Sequence, residues 1–124
     1  MSASSSSWTI LSGAGDATVS TQAGTGLMGA TNGPAASASF THPAGVALDA
    51  AGTIYVADTY NNRIRAIDAL ATLVSSAAGQ GWWGSADGSA GMASFYHPEG
   101  LAVSATRLII ADRYNNLIRV LHLK

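Results

Sequence analysis

Short runs of aliphatic residues alternate with turn-forming residues over positions 45–75 of the chain. Arg63 and Arg65 fall on one face of such a run and Ile64 on the other, which is the period of two expected of a β-strand. The predicted strands are residues 45–49, 54–58, 63–67 and 71–75. Glycine and asparagine, which tolerate a positive φ, lie in the connections. The pattern therefore predicts four antiparallel strands joined by tight turns.

The apolar character of these strands falls from the first two to the third. Residues 46–48 and 54–57 are almost continuously apolar, as expected of strands covered on both faces. The third strand alternates, so one of its faces is expected to be open to solvent. Such a gradient from inner to outer strands is typical of a propeller blade. We therefore predict an all-β fold whose blades are four-stranded antiparallel meanders.

The same pattern occurs twice. Residues 38–67 return at residues 93–120 with one residue deleted near the middle, an offset of 55 positions at the start. The second copy predicts strands at 100–103, 108–112 and 117–121, and the fourth strand is missing. Repeats of this length indicate units that cannot bury their own apolar faces and must stack on neighbours.

The region before the first copy contributes further strands. Carrying the offset backwards aligns residues 18–23 with 73–78, which predicts a fourth strand without a blade of its own. Residues 8–12 predict one more strand, whose place in the fold the sequence leaves open, and residues 1–7 are expected to be a flexible leader. The predicted division is N-terminal strands at 8–23, blade one at 43–78 and blade two at 98–124.

Composition narrows the classes of partner and cofactor. The chain has 124 residues and 48% hydrophobic content, which suits one small folded domain, and six basic against seven acidic residues give a net charge of −1. Without a polybasic patch, nucleic acid is not an expected partner. Cysteine is absent, which excludes disulfides and thiolate zinc sites and leaves the compartment open. No apolar run approaches the ~18 residues of a spanning helix, so no membrane association is expected.

The order of residues within each copy resembles the NHL repeat family, a relative of six-bladed β-propellers. The first copy reads Phe-x-His-Pro-x-Gly-Val-Ala-Leu-Asp and then Ile-Tyr-Val-Ala-Asp-x-Tyr-Asn-Asn-Arg-Ile-Arg. The second keeps most of these residues, but Ser104 replaces the residue equivalent to Asp49, and Leu117 replaces that equivalent to Arg63. The resemblance covers about residues 17–124. It implies a propeller that most often binds proteins, sometimes RNA, and in a minority of relatives performs metal-assisted lyase or hydrolase chemistry.

Two blades leave open sheet edges that invite pairing with another chain. If residues 18–23 of one chain add to residues 117–121 of the next, three chains complete the six blades that the resemblance implies. The prediction is a homotrimer closed by strand exchange, of three times 12.5 kDa. The competing interpretation is that the chain is a fragment of a longer propeller with no independent function.

Strand direction predicts that the long connections and the turns between the second and third strands share one face of the ring. The candidate binding residues on this loop face are Tyr60, Asn61, Asn62, Tyr114, Asn115, Asn116, Trp82 and Trp83. The two tryptophans align with Leu27 and Met28, and this shared apolarity favours a structural anchor tucked over the blade. The alternative is an exposed aromatic contact, since tryptophan is enriched at interface hot spots.

Four residues are weak candidates for a metal site: His42, His97, Asp58 and Asp112. Each histidine precedes a proline, and we expect its side chain to satisfy a neighbouring peptide group. Each aspartate ends a second strand, where a carboxylate commonly accepts the backbone N–H groups of a turn. No metal or other cofactor is therefore predicted. Arg65 and Arg119 are expected to project to solvent or to pair across a blade interface.

The function predicted from these features is a non-enzymatic module that self-assembles and presents a loop face to a protein or peptide. No Gly-x-Ser-x-Gly element, phosphate-binding loop or cysteine nucleophile occurs in the sequence. The first alternative is a metal-dependent enzyme or small-molecule-binding propeller whose site forms at the channel mouth. RNA binding ranks below both, because arginines are few.

Overall fold

A computed structural model describes residues 17–123 as two antiparallel β-sheets with short 3-10 helices between strands. The first sheet contains β1 (Gly33–Pro34), β2 (Pro43–Leu48), β3 (Ile54–Asp58), β4 (Arg63–Ile67) and β5 (Leu73–Ala78) in the order β1-β5-β4-β3-β2. The second contains β6 (Pro98–Ser104), β7 (Arg107–Asp112) and β8 (Leu117–His122) in that order. The 3-10 helices are Ala35–Ser37, Thr59–Asn61 and Arg113–Asn115. No helix in the described range is long and apolar enough to cross a membrane.

The all-β prediction is confirmed, and each of the seven strands predicted within the two copies is present with small changes in its ends. β3 and β4 occupy the predicted residues. β5 begins two residues later than predicted and continues to Ala78, because Asp68 accepts the N–H groups of Thr72 and Leu73 and so prolongs the preceding turn. The turn chemistry, rather than the apolar run, thus sets where the outer strand begins.

The strand predicted at residues 18–23 is absent from the structure of the single chain. This segment is mostly exposed and pairs with no strand. A strand needs a partner edge to satisfy its backbone groups, and the segment has no such edge within the described residues. The predicted leader at 1–7 and the predicted strand at 8–12 lie outside the described residues.

The two sheets pack against each other through one apolar core. Tyr55, Ala57 and Ile64 of the first sheet meet Leu108 and Ile110 of the second. The innermost strands β2 and β6 approach so closely that a side chain at Gly45 would collide with the backbone carbonyl of Glu99. Burial raises the pKa of the Tyr55 hydroxyl, and the neighbouring Asp49 carboxylate raises it further.

Each sheet also contains a buried ion pair, which joins β3 to β4 in the first sheet and β7 to β8 in the second. Asp58 and Arg65 are joined by an Nη1–Oδ2 contact of 2.6 Å, and neither side chain is exposed. Asp112 and Arg119 repeat the contact at 2.7 Å. The prediction that the arginines reach solvent or cross a blade interface is wrong. Each arginine turns back over its own sheet, because the carboxylate and nearby backbone carbonyls supply acceptors there.

Candidate functional site

The loop face is built at the end of β3 and at the equivalent end of β7. Each strand ends in an aspartate, continues into one turn of 3-10 helix and then reaches an asparagine in the left-handed conformation. Asn62 has φ 55° and Asn116 has φ 57°, values that asparagine tolerates better than most residues. This local geometry places Tyr60 and Tyr114 at the outer tips of the two turns.

The aspartates at these strand ends hold the loop face together. The Asp58 carboxylate accepts the N–H of Thr41 at 2.8 Å and the side-chain amide of Asn61 at 2.7 Å, besides the Arg65 guanidinium. Asp112 has the equivalent set of partners. As predicted, the carboxylates accept backbone N–H groups, but these belong to the segments before β2 and β6 rather than to the turn itself. The aspartates therefore fix the long connections onto the strand ends.

Three of the four asparagines expected at the recognition tips are used inside the fold. The amides of Asn61 and Asn115 donate to the carbonyls of Gly29 and Gly84. Asn62 is buried, and its Oδ1 accepts the N–H of His97 at 2.9 Å. The prediction of a recognition role is wrong for Asn62, because burial removes it from the surface. Asn116 is exposed.

A row of four aromatic rings in contact crosses the loop face from one sheet to the other; the central pair is stacked and the two outer pairs are tilted. We call His42, Tyr60, His97 and Tyr114 the aromatic row. Successive ring centroids are 4.2 Å, 4.7 Å and 4.4 Å apart. These separations fall at or just below the usual range for interacting aromatic rings. The tyrosines are about half exposed, so the row presents ring surface to solvent.

The backbone at both histidines is strained. His42 and His97 each have φ 52°, in the left-handed region that non-glycine residues rarely adopt. The following proline favours an extended conformation at this position, so the structure departs from the expected geometry. The N–H of His97 is held by Asn62 at 2.9 Å, and the imidazole is held between two tyrosines. Such strain persists where the surroundings fix it, and it is concentrated at functional sites.

The two tryptophans are largely exposed, Trp82 by 76% and Trp83 by 68%. The ring of Trp83 stacks on Tyr96 at 5.2 Å, and Tyr96 in turn contacts His97 and Tyr114. The interpretation of the tryptophans as anchors tucked over the blade is therefore wrong for the single chain. A Cβ at Gly81 would collide with Arg63 and one at Gly84 with Ser94, so the glycines on either side of the tryptophans allow the loop to lie close to these residues.

One charged pair borders this surface. Arg113 donates to Glu99 at 2.6 Å, and its guanidinium lies 5.6 Å from the centre of the Tyr114 ring. The hydrogen bond and charge of Glu99 raise the pKa of Arg113. Both side chains are well exposed. The surface thus combines aromatic rings with one cation and one anion.

The weak metal candidates are not brought together as a ligand set. No group of three or more histidine, cysteine, aspartate or glutamate side chains within residues 17–123 has the spacing to hold a metal ion. The hydrogen bonds of Asp58 and Asp112 occupy the oxygens that a metal would need. His42 and His97 face tyrosine rings instead.

Sequence reasoning missed Tyr96, Glu99 and Arg113 as parts of this surface. Each departs from the first copy, where the equivalent residues are Thr41, Ala44 and Thr59. A comparison of the two copies could have identified these residues, because three small residues of the first copy are replaced by large aromatic or charged residues in the second.

Comparison with known proteins agrees with the fold. The NHL repeat family matches residues 40–67. The chloroplastic protein SUPPRESSOR OF QUENCHING 1 of Arabidopsis thaliana is 40% identical over 83 residues, which are 66% of this chain and 8% of that protein.

Solved structures give the same result. A protein of unknown function from Bacteroides thetaiotaomicron aligns with TM-score 0.74 and 26% identity over 79% of this chain and 26% of its own. An auxiliary nutrient binding protein from the same organism aligns with TM-score 0.68 and 26% identity over 77% of this chain and 26% of its own. The chain thus spans about a quarter of these structures and a smaller part of the plant protein. The family match shows an NHL repeat at residues 40–67, and the two antiparallel sheets share the propeller-like fold of the solved structures.

Proposed function

We propose that this chain is a non-enzymatic NHL-type module that binds a protein or peptide on its loop face. The observation that carries the proposal is the exposed aromatic surface in which Trp83 contacts the aromatic row through Tyr96, with the exposed Trp82 next to Trp83 in the chain. Tryptophan and tyrosine dominate the energetics of protein interfaces, because they bury large areas with little loss of conformational entropy.

The carboxylates of the loop face support binding over carboxylate-based catalysis. Asp58 and Asp112 are buried and neutralised by arginine, so neither carboxylate faces the surface. Glu99 is held by Arg113. A carboxylate that acts as a general acid or base needs a free oxygen within reach of a substrate, whereas a docking surface needs exposed rings with polar groups at their border.

We also propose that the module self-assembles as a homotrimer that completes six blades. We call the first sheet blade one and the second sheet blade two. The outer edge of β8 pairs with no strand among the described residues, and residues 18–23 are largely exposed without strand partners. Addition of residues 18–23 of one chain to β8 of the next satisfies both, because an unpaired edge and an unpaired segment each gain ladder hydrogen bonds.

The binding proposal is tested with peptides selected from a random phage-displayed library on the immobilised wild-type chain. Selected peptides, synthesised and measured by calorimetry, should bind the double variant Trp82→Ala/Trp83→Ala at least about tenfold more weakly, since hot-spot side chains contribute more than about 1–2 kcal/mol. Leu70→Ala is the control. Leu70 is 82% exposed in the turn after β4, at the other end of the sheet from Tyr60.

Equal affinity for the wild type and the double variant contradicts the proposal, as does failure to select any peptide. The double variant should keep the wild-type melting temperature, because its side chains are largely exposed. A weaker-binding variant with an unchanged melting temperature therefore reports loss of contact rather than loss of fold.

A further inference from the structure

The junction between the two blades has three matched parts. On the loop face, Tyr60 of blade one stacks on His97 of blade two, and Asn62 accepts the N–H of His97. Below them, Ile64 is fully buried against the second sheet. Blade one therefore offers a tyrosine, an asparagine oxygen and an isoleucine, and blade two receives them with a strained histidine and its apolar strands.

Blade two offers the same three groups on its outer side, where no residue within 17–123 receives them. Tyr114, Asn116 and Ile118 are the repeat equivalents of Tyr60, Asn62 and Ile64. All three are exposed, and the contrast is largest at the isoleucine, which is buried completely in blade one but 71% exposed in blade two. Identical chemistry thus lies in contact on one side of the molecule and open on the other.

The receiving surface also occurs a second time, on the outer side of blade one. Leu101 and Val103 of β6 pack into the core between the blades. Their equivalents on β2 are Val46 and Leu48, each 63% exposed. His42, the equivalent of His97, has the same positive φ and lies next to this surface. The chain therefore carries one complete junction and both halves of another.

The glycines of the innermost strands agree with this arrangement. A side chain at Gly45 would collide with the Glu99 carbonyl of the next blade. At the equivalent Gly100, a Cβ would meet only the Ala111 side chain, at an ordinary contact distance of 3.5 Å. Among the described residues, no neighbour rules out a larger residue at Gly100. If β2 of a second copy packed on β6 as β6 packs on β2 within the chain, its backbone would lie close to Gly100 and would exclude a larger residue there.

We infer that the outer face of blade two docks the outer face of blade one from a second copy of this chain, in the register of the internal junction. Tyr114 then stacks on His42 of the second copy, and Asn116 Oδ1 accepts the N–H of that histidine. The inference rests on the assembly part of the proposed function and specifies its contacts. The two faces differ, so the contact is head to tail, and it closes into a ring if each chain contributes two of six equally spaced blades.

The aromatic row is incomplete without the second copy. It ends at Tyr114 on one side and at His42 on the other. With four such rings in each chain and three copies in the ring, the rows join into one closed circle of alternating histidine and tyrosine around the channel mouth.

The test uses native mass and two variants that each disable one face. Wild-type chain at about 100 µM, far above a Kd of about 1 µM, should give three times 12.5 kDa. Ile118→Glu and Leu48→Glu should each give the 12.5 kDa monomer, because a carboxylate in either face has no partner when buried. Leu70→Glu, the same kind of change at another exposed site, should keep the wild-type mass.

Mixing the two disabled variants provides the sharper result. Each variant keeps the face that the other has lost, so the mixture should form a species of twice 12.5 kDa with a single junction. In this species, introducing Asn116→Gly into the Leu48→Glu chain should weaken the Kd about fivefold, the equivalent of a hydrogen bond of ~1 kcal/mol. Asn116→Asp keeps an acceptor oxygen and should bind more tightly than the glycine variant.

A monomeric wild type overturns the inference and leaves further blades of a longer chain as the cover for these faces. A two-fold dimer, or a mixture that stays at 12.5 kDa, overturns it as well. Peptide binding by the Leu48→Glu monomer separates the two proposals, because the tryptophan surface of that chain is unchanged. If the peptide binds while assembly fails, the inference fails alone.

Discussion

Blade one and blade two have nearly the same contacts at the ends of β3 and β7, and they differ most in the residues that pack around these contacts. In both, the buried arginine bridges its aspartate and a backbone carbonyl of the preceding connection. The arginine also lies over a phenylalanine ring, 4.7 Å from Phe40 in blade one and 4.9 Å from Phe95 in blade two. The buried pair is therefore an intrinsic part of each repeat and needs no neighbouring blade.

One further side-chain partner of each arginine distinguishes the blades. Arg65 binds the neutral side chain of Asn32, whereas Arg119 binds Asp87, whose side chain is 93% exposed. Arg119 thus has two carboxylates where Arg65 has one. The charge of the buried guanidinium is therefore neutralised by a buried carboxylate alone in blade one, and by a buried and an exposed carboxylate together in blade two.

Removal of the buried carboxylate should have the largest effect on stability and should separate the two blades most clearly. Asp58→Ala leaves the Arg65 guanidinium buried without a counter-ion and should cost about 3–5 kcal/mol of unfolding free energy. Asp112→Ala should cost less, because Arg119 keeps Asp87. Urea unfolding followed by circular dichroism measures both.

Asp58→Asn and Asp112→Asn provide milder versions in case an alanine variant fails to fold. The order of the two losses is the informative result. Equal losses, or a larger loss in blade two, contradict the role given to Asp87.

Ile64 and Ile118 test a second difference between the blades: Ile64 is covered by the neighbouring blade, whereas Ile118 is exposed. Ile64→Ala should cost about 2–5 kcal/mol, the usual range for a buried isoleucine. Ile118→Ala should cost less than about 0.5 kcal/mol in dilute monomeric chain. Thermal unfolding at concentrations where the mass is 12.5 kDa makes the comparison. An equal cost would mean that Ile118 is already covered within the single chain.

The smallest effect is expected from exchanging the polar partners of the arginines. Asn32→Asp gives Arg65 a second carboxylate and should stabilise blade one by less than about 1 kcal/mol, because exposed ion pairs are weak. Asp87→Asn should have the opposite sign. Both differences should shrink as salt is added, and urea midpoints at low and high ionic strength measure this. A difference insensitive to salt would show that geometry rather than charge distinguishes Asn32 from Asp87.

Several features of the fold could be predicted because they are local. Alternation at Arg63–Ile67 and turn-forming residues between the runs suffice to locate the strands. The fate of Arg65 could not be predicted in the same way. Its position in an alternating strand indicates an exposed face, and only the connection folded over that face supplies the acceptors that bury it.

The candidate site divides in the same manner. Tyr60 and Tyr114 follow from the turn motif, and they are exposed as predicted. Asn62 belongs to the same motif but is buried, since it reaches the histidine of the next blade. A contact between blades has no signal inside one repeat.

The sequence by itself determined the strands, the turns and the duplication, because all three depend on neighbours within a few residues or on direct comparison of two segments. Only the tertiary structure decided which equivalents are buried and which are open, since burial depends on what packs from outside the repeat. Ile64 and Ile118 are the same residue in the same motif, and the presence of a neighbouring blade is what separates them. The row of histidine and tyrosine rings depends on packing in the same way, because the junction between the two blades brings together Tyr60 and His97, which are 37 positions apart.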